Sequence, residues 1–148
     1  MTDNDFMYAA LELARRGETA GEVPVGALVV IGGEIVGRGW NAPIARSDPT
    51  AHAEIIAMRE AASELGNYRL ESATLYCTLE PCVMCAGALV NARIERVVFG
   101  ARDLRFGGVR SKFRVADSDV LNHRVEVVEG VLAPECVELL RSFFAARR

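Results

Sequence analysis

The sequence predicts an α/β protein, a three-layer α/β/α sandwich built around one mixed five-stranded sheet. Short, nearly continuous apolar runs read as buried strands, and segments with apolar residues at helical spacing lie between them. No internal repeat or low-complexity linker breaks the alternation, so the layers share one core. With 148 residues, 51% of them hydrophobic, the chain has the size of one domain and enough apolar surface for a core without disulfides. Residues 1–148 are therefore expected to form a single domain.

The elements follow in order. Asp3 or Asn4 can cap a first helix in which Phe6, Ala10, Leu13 and Ala14 recur at helical spacing up to Gly17. The run 25–31 (VGALVVI) is a strand, and Gly32-Gly33 turns it as a two-residue hairpin into a second strand over 34–40. Residues 41–50, with Pro43, Asp48 and Pro49, read as loop. A helix over 51–65 ends at Gly66. A strand over 73–79 turns at Glu80-Pro81 into a helix from Cys82 to about Ala92, with Pro81 in the first turn, where its missing N–H costs nothing. Strands over 96–100 and 125–128 flank a glycine-containing loop, and an amphipathic helix over 133–146 should turn Cys136, Leu139, Leu140, Phe143 and Phe144 inward.

Composition narrows the function classes. No apolar run approaches the roughly 20 residues of a membrane span, and the acidic, polar start Met1-Thr2-Asp3-Asn4-Asp5 is unlike a secretory leader. A soluble, cytoplasmic protein with no membrane partner is expected. In that setting Cys77, Cys82, Cys85 and Cys136 are metal ligands, catalytic groups or small core residues rather than disulfides. The net charge is −3, yet between Arg93 and Arg114 seven basic residues face only Glu95 and Asp103. Such a segment either steers a polyanion to one face or is a solvated loop.

The chemistry concentrates in two places. Ala51-His52-Ala53-Glu54 begins one helix, and Pro81-Cys82-Val83-Met84-Cys85 begins the next. Cys82 and Cys85, three apart, fall on one helix face, and a helix N-terminus favours their thiolates. Two thiolates and an imidazole suit zinc, and three protein ligands leave a fourth position for water, the mark of a catalytic site. Zinc lowers the pKa of such a water to about 7. Glu54, about 200° around the helix from His52, should lie off the ligand face yet reach that water as a proton carrier. The competing readings are a redox Cys-x-x-Cys or a closed structural site with Cys77 as fourth ligand. The closed site gives Glu54 no role, and Cys77 and Cys136 fit better as core fillers.

The H-x-E and P-C-x-x-C pair is the signature of zinc nucleobase deaminases, and the resemblance extends further. Residues 22–27 (EVPVGA), 39–41 (GWN), 48–54 (DPTAHAE), 67–70 (NYRL), 78–88 (TLEPCVMCAGA), 96–103 (RVVFGARD), 122–125 (NHRV) and the ending Ser142-Phe143-Phe144 with Arg147-Arg148 resemble the bacterial tRNA-specific adenosine deaminases. These belong to the zinc-dependent cytidine/deoxycytidylate deaminase superfamily. The resemblance does not extend across Phe106 to Phe113. It implies a cytidine deaminase-like fold and hydrolysis of the wobble adenosine of a tRNA anticodon to inosine. His52, Cys82 and Cys85 would hold zinc, and Glu54 would protonate N1 and then the leaving amine. Asn41 would contact the target nucleoside, Asp103 the preceding sugar, and Asn122 the RNA in a similar way. Arg102, Arg147 and Arg148 would contact phosphates. The resemblance also implies a homodimer. A deaminase of a free base such as guanine or cytosine shares the zinc signature and is the nearest alternative.

Overall fold

The computed structural model describes residues 1–147; Arg148, one of the expected RNA contacts, lies outside them. Five helices, α1 (Asp3–Thr19), α2 (Pro43–Arg46), α3 (Ala53–Leu65), α4 (Val83–Asn91) and α5 (Ala133–Ala145), accompany five strands, β1 (Gly26–Ile31), β2 (Glu34–Trp40), β3 (Thr74–Leu79), β4 (Arg96–Ala101) and β5 (Glu126–Glu129). The sheet order is β2-β1-β3-β4-β5. β1 runs antiparallel to both β2 and β3, whereas β3, β4 and β5 are mutually parallel, so the sheet is mixed as expected. None of the described helices is long and apolar enough to cross a membrane.

Strand periodicity separates two cores. Ala27 and Val29 of β1, Leu75 and Cys77 of β3, and Val97 and Phe99 of β4 pack against α3 and α4. Their neighbours Leu28, Val30, Tyr76 and Val98 point the other way, onto Phe6, Met7, Ala10 and Leu11 of α1 and Cys136 of α5. Both faces of the sheet are thus covered, which is why its central strands read as unbroken apolar runs. At the edge, α3 lies close on β2. A Cβ on Gly37 would sit 2.2 Å from the carbonyl oxygen of Ala57, and one on Gly39 would sit 2.4 Å from that of Ala53. Glycine at these two positions sets how near the first half of α3 comes to the sheet.

Four local expectations change. The cap of α1 is Thr2, not Asp3 or Asn4: its hydroxyl accepts from Asp5 N while the Asp5 carboxylate accepts from Thr2 N at 2.8 Å, a reciprocal capping box. Asp3 is used elsewhere, accepting from Arg96 Nη1 at 3.0 Å and Tyr76 Oη at 2.6 Å and tying α1 to the sheet. The loop after β2 contains the short helix α2, because the Glu22 carboxylate accepts from Ile44 N at 3.3 Å and Ala45 N at 2.8 Å. The third helix begins at Ala53 rather than Ala51. Phe144, expected inside, is 46% exposed and meets Phe143 edge-on, because it lies about 100° further around α5.

Candidate active site

The two chemical segments meet at the N-termini of α3 and α4. His52 and Cys82 are the N-cap residues of these helices, both with extended backbone (φ −79°, ψ 152° and φ −73°, ψ 178°). An N-cap side chain ordinarily folds over its own helix to accept from the first free N–H groups. Neither does so here. Both are released to point at each other, and Asn41 Oδ1 accepts from Ala53 N at 2.9 Å in place of a cap on α3. That bond fixes which way the Asn41 amide faces and leaves its NH2 group available at the cavity it lines.

His52 Nδ1 lies 3.5 Å from Cys82 Sγ and 3.4 Å from Cys85 Sγ, and the three ligand atoms lie within 4.8 Å of one another. A tetrahedral zinc with bonds of about 2.3 Å to sulfur and 2.0 Å to nitrogen separates N from S by about 3.5 Å. Both N–S separations therefore fit zinc. Hydrogen bonding from Cys85 and from the His52 ring lowers the Cys82 thiol to about 4. The same contact raises His52, and Cys85 is raised by the neighbouring thiolate and by burial. Cys77 is fully buried in the α3/α4 core and is not one of the clustered ligand atoms, as expected of a core filler. Burial pushes its thiol well up, opposite to a thiolate ligand.

Glu54 also faces this centre. It is 4% exposed, and burial pushes its carboxyl up to about 7. The helical-wheel offset of about 200° does not apply, because His52 is outside the helix and only Glu54 obeys its geometry. Glu54, His52 and Cys82 line a cavity of about 370 Å³ with apolar walls from Val23, Val25 and Leu79, and with Asn41, Asp103 and Phe106 among its other lining residues.

Glu80, part of a turn in the sequence, anchors the site. It is 2% exposed and lines the same cavity. Its Oε1 accepts from Asp103 N at 3.1 Å and from the Ser111 hydroxyl; its Oε2 accepts from Val109 N, Arg110 N and Ser111 N at 3.1, 2.7 and 2.9 Å. Burial raises this carboxyl, but the donors outweigh it and the net shift is downward. One carboxylate thus pins the whole 103–111 loop over the metal ligands. Gly107 makes the approach feasible, since a Cβ there would lie 2.4 Å from Glu80 Oε2. In the sequence it stands as an acidic residue between a buried strand and a proline, within the family-like segment 78–88.

The remaining expected RNA contacts are not gathered equally. Asp103 lines the cavity, and its Oδ1 also accepts from Arg105 N and Phe106 N, each at 3.1 Å, so it builds the turn as well. Arg102 is clasped by Glu129 through Nε and Nη2 at 3.1 and 3.2 Å. Asn122 is exposed on a loop and does not line the cavity. Arg147 folds back on α5, its guanidinium 3.5 Å from the Phe143 ring centroid.

This arrangement agrees with the chain's similarities. Residues 1–101 match the model of the cytidine and deoxycytidylate deaminase zinc-binding region. A tRNA-specific adenosine deaminase of Haemophilus influenzae is 53% identical over 147 residues, 99% of this chain and 85% of that protein. A solved structure from work on A-to-I editing by tRNA:A34 deaminases at the wobble position of transfer RNA superposes with a TM-score of 0.89 at 42% identity, covering 92% of this chain and 99% of the other. A guanine deaminase from Nitrosomonas europaea superposes with a TM-score of 0.81 at 26% identity, covering 94% and 82%. The chain belongs to the cytidine and deoxycytidylate deaminase zinc-binding family.

Proposed function

We propose that this chain is a zinc-dependent tRNA adenosine deaminase that hydrolyses the wobble adenosine of an anticodon to inosine, releasing ammonia. The observation that carries this reading is the convergence of His52, Cys82, Cys85 and buried Glu54 on one cavity, in a chain 53% identical to a tRNA-specific adenosine deaminase. His52, Cys82 and Cys85 would hold a zinc ion, which would supply Lewis-acid activation of a water. Glu54 carries one proton of the attacking water to N1 of the adenine and the second, from the hydroxyl left on C6, to the amine, so that ammonia departs as the C6–N bond breaks and the carbonyl of inosine forms. A carboxyl near 7 suits this task, because it accepts and gives protons at neutral pH. The Asn41 amide, held by Ala53, donates to the target nucleoside, and Asp103 contacts the preceding sugar with the oxygen its turn leaves free. Asn122 and Arg147 contribute contacts outside the cavity, Arg102 contributes little because Glu129 already holds its guanidinium, and Arg148 adds a phosphate contact.

Residues 1–148 act as one domain, since the two cores share a single sheet. The enzyme works as a homodimer in the cytoplasm, where its tRNA substrate resides. An apolar hollow of about 330 Å³ between α3 and α4, lined by Ile55, Met58, Ala62 and Ala88 and flanked by Tyr68, 74% exposed, supports self-association through these helices.

The test incubates the zinc-loaded protein with an anticodon stem-loop carrying adenosine at the wobble position and, in parallel, with free adenosine, guanine and cytosine. Inosine in the stem-loop alone is the expected result. Turnover of a free base with the RNA untouched moves the chain to the base-salvage branch.

A further inference from the structure

The basic segment divides into two groups. Arg96 is paired with Asp3, Arg102 with Glu129 and Arg110 with Asp117, and Arg93 donates to the Val90 carbonyl. Arg105, Lys112 and Arg114 are exposed and, among the described residues, make no ion pair. These three interleave with two phenylalanines: Phe106 is 61% exposed and Phe113 58%. The Gly107 carbonyl accepts from both Lys112 N and Phe113 N, at 3.0 and 3.2 Å, which sets the second group beside the first. Hydrogen bonds brace the lip so formed. Asp103 Oδ1 accepts from the Phe106 amide, and Glu80 holds the loop on both sides. Phe106 also lines the cavity.

An exposed phenyl ring on a hydrogen-bonded backbone at a cavity that receives a base contributes little to the core and is placed to stack. The Arg105 guanidinium lies over the Phe106 ring at 5.4 Å from its centroid, a looser contact than the 3.5 Å of Arg147 on Phe143, and Phe106 keeps 61% of its surface exposed. Resting on the function proposed above, we propose that Phe106 stacks a nucleobase flanking the adenosine in the cavity, while Arg105, Lys112 and Arg114 contact the phosphates on either side. A base extruded from its stack leaves its neighbours without a partner, and an aromatic face replaces that partner for any base. The lip therefore fits single-stranded RNA splayed at the cavity, and recognises it by stacking and charge rather than by sequence.

The test compares the parent, Phe106→Ala and Phe106→Trp as zinc-loaded full-length proteins on the anticodon stem-loop, with 2-aminopurine placed in turn at each nucleotide beside the reacting adenosine. Phe106→Ala is expected to raise KM about 5- to 100-fold with kcat little changed, and to abolish the quenching that one of the two probes shows on binding the parent. Phe106→Trp is expected to restore both. Arg105→Ala should lower the slope of log affinity against log salt by about one. Unchanged KM and quenching in an active Phe106→Ala protein overturn the stacking role and leave the deaminase reading intact. A shift of Phe106→Ala to a smaller species in sizing chromatography assigns the ring to a protein interface and also overturns it. A parent that edits no RNA fails the functional reading itself, and the stacking role falls with it.

Discussion

Glu54 and Glu80 line the same cavity from different elements, both almost sealed from solvent, and their chemistry is opposite. Glu54, at the start of α3, is raised to about 7 by burial that its own backbone amide and the Cys85 thiol do not offset. Glu80, in the link between β3 and α4, is lowered because Ser111 and the backbone amides of 103 and 109–111 converge on it. Burial alone therefore does not decide whether a carboxylate carries protons or holds structure; the supply of donors does. The wall with few donors can exchange a proton, and the wall with many is a fixed anion that shapes the loop.

The strongest way to break this contrast is to substitute each glutamate. Glu54→Gln should retain zinc, measured as metal per protein, while inosine formation falls by at least about 10³-fold; activity within about tenfold of the parent would remove the proton-carrier role. Next in size is the metal comparison. Cys85→Ser should lose zinc and activity together, whereas Cys77→Ser should keep both, because Cys77 packs in the core outside the ligand cluster. Zinc loss on substituting Cys77 would instead mark a closed, structural site.

Glu80→Gln should keep zinc yet destabilise the fold by about 2–4 kcal/mol in urea titrations, since the amide turns a donor toward backbone N–H groups that need an acceptor. Its pH dependence sharpens the contrast with Glu54. Because the folded-state value of Glu80 is depressed, its contribution is present above the ordinary value near 4.5 and is lost as pH falls through the folded value. The gap between parent and Glu80→Gln should close on acidification. For Glu54 the folded value is raised, so its contribution is present below about 4.5 and lost as pH rises through about 7. In chelator-treated protein, Glu54→Gln should gain stability relative to the parent over that window. The smallest effect is expected at Arg102: its removal should change stem-loop affinity less than about twofold, because its guanidinium is already matched by Glu129 and an exposed pair exchanges partners at little net gain.

Much of the fold was legible because it is written in local spacing. The strands at 26–31, 34–40, 74–79 and 96–101 fall within a residue or so of where apolar runs placed them, and β5 is shifted by a single residue. Gly32 and Gly33 adopt the positive φ values, 60° and 81°, that a two-residue hairpin requires. The zinc-family resemblance and the His52, Cys82 and Cys85 trio stand, because the residue types are rare and the ligands had to meet to make sense. What escaped involves partners far apart in the chain. Glu22 creates α2 from about 20 residues away, and Asp3 leaves its capping role for Arg96.

The sequence by itself determined the layers, the metal-binding residue types and the family, since periodicity and ligand chemistry are properties of neighbouring residues. Only the tertiary structure decided that His52 and Cys82 are N-caps freed from capping, that Asn41 caps α3 in place of His52, and that Glu80 anchors the loop carrying Asp103 and Phe106. The physical reason is that a hydrogen bond is assigned by distance in space. Which acceptor a backbone N–H finds is settled only when the sheet brings remote segments together.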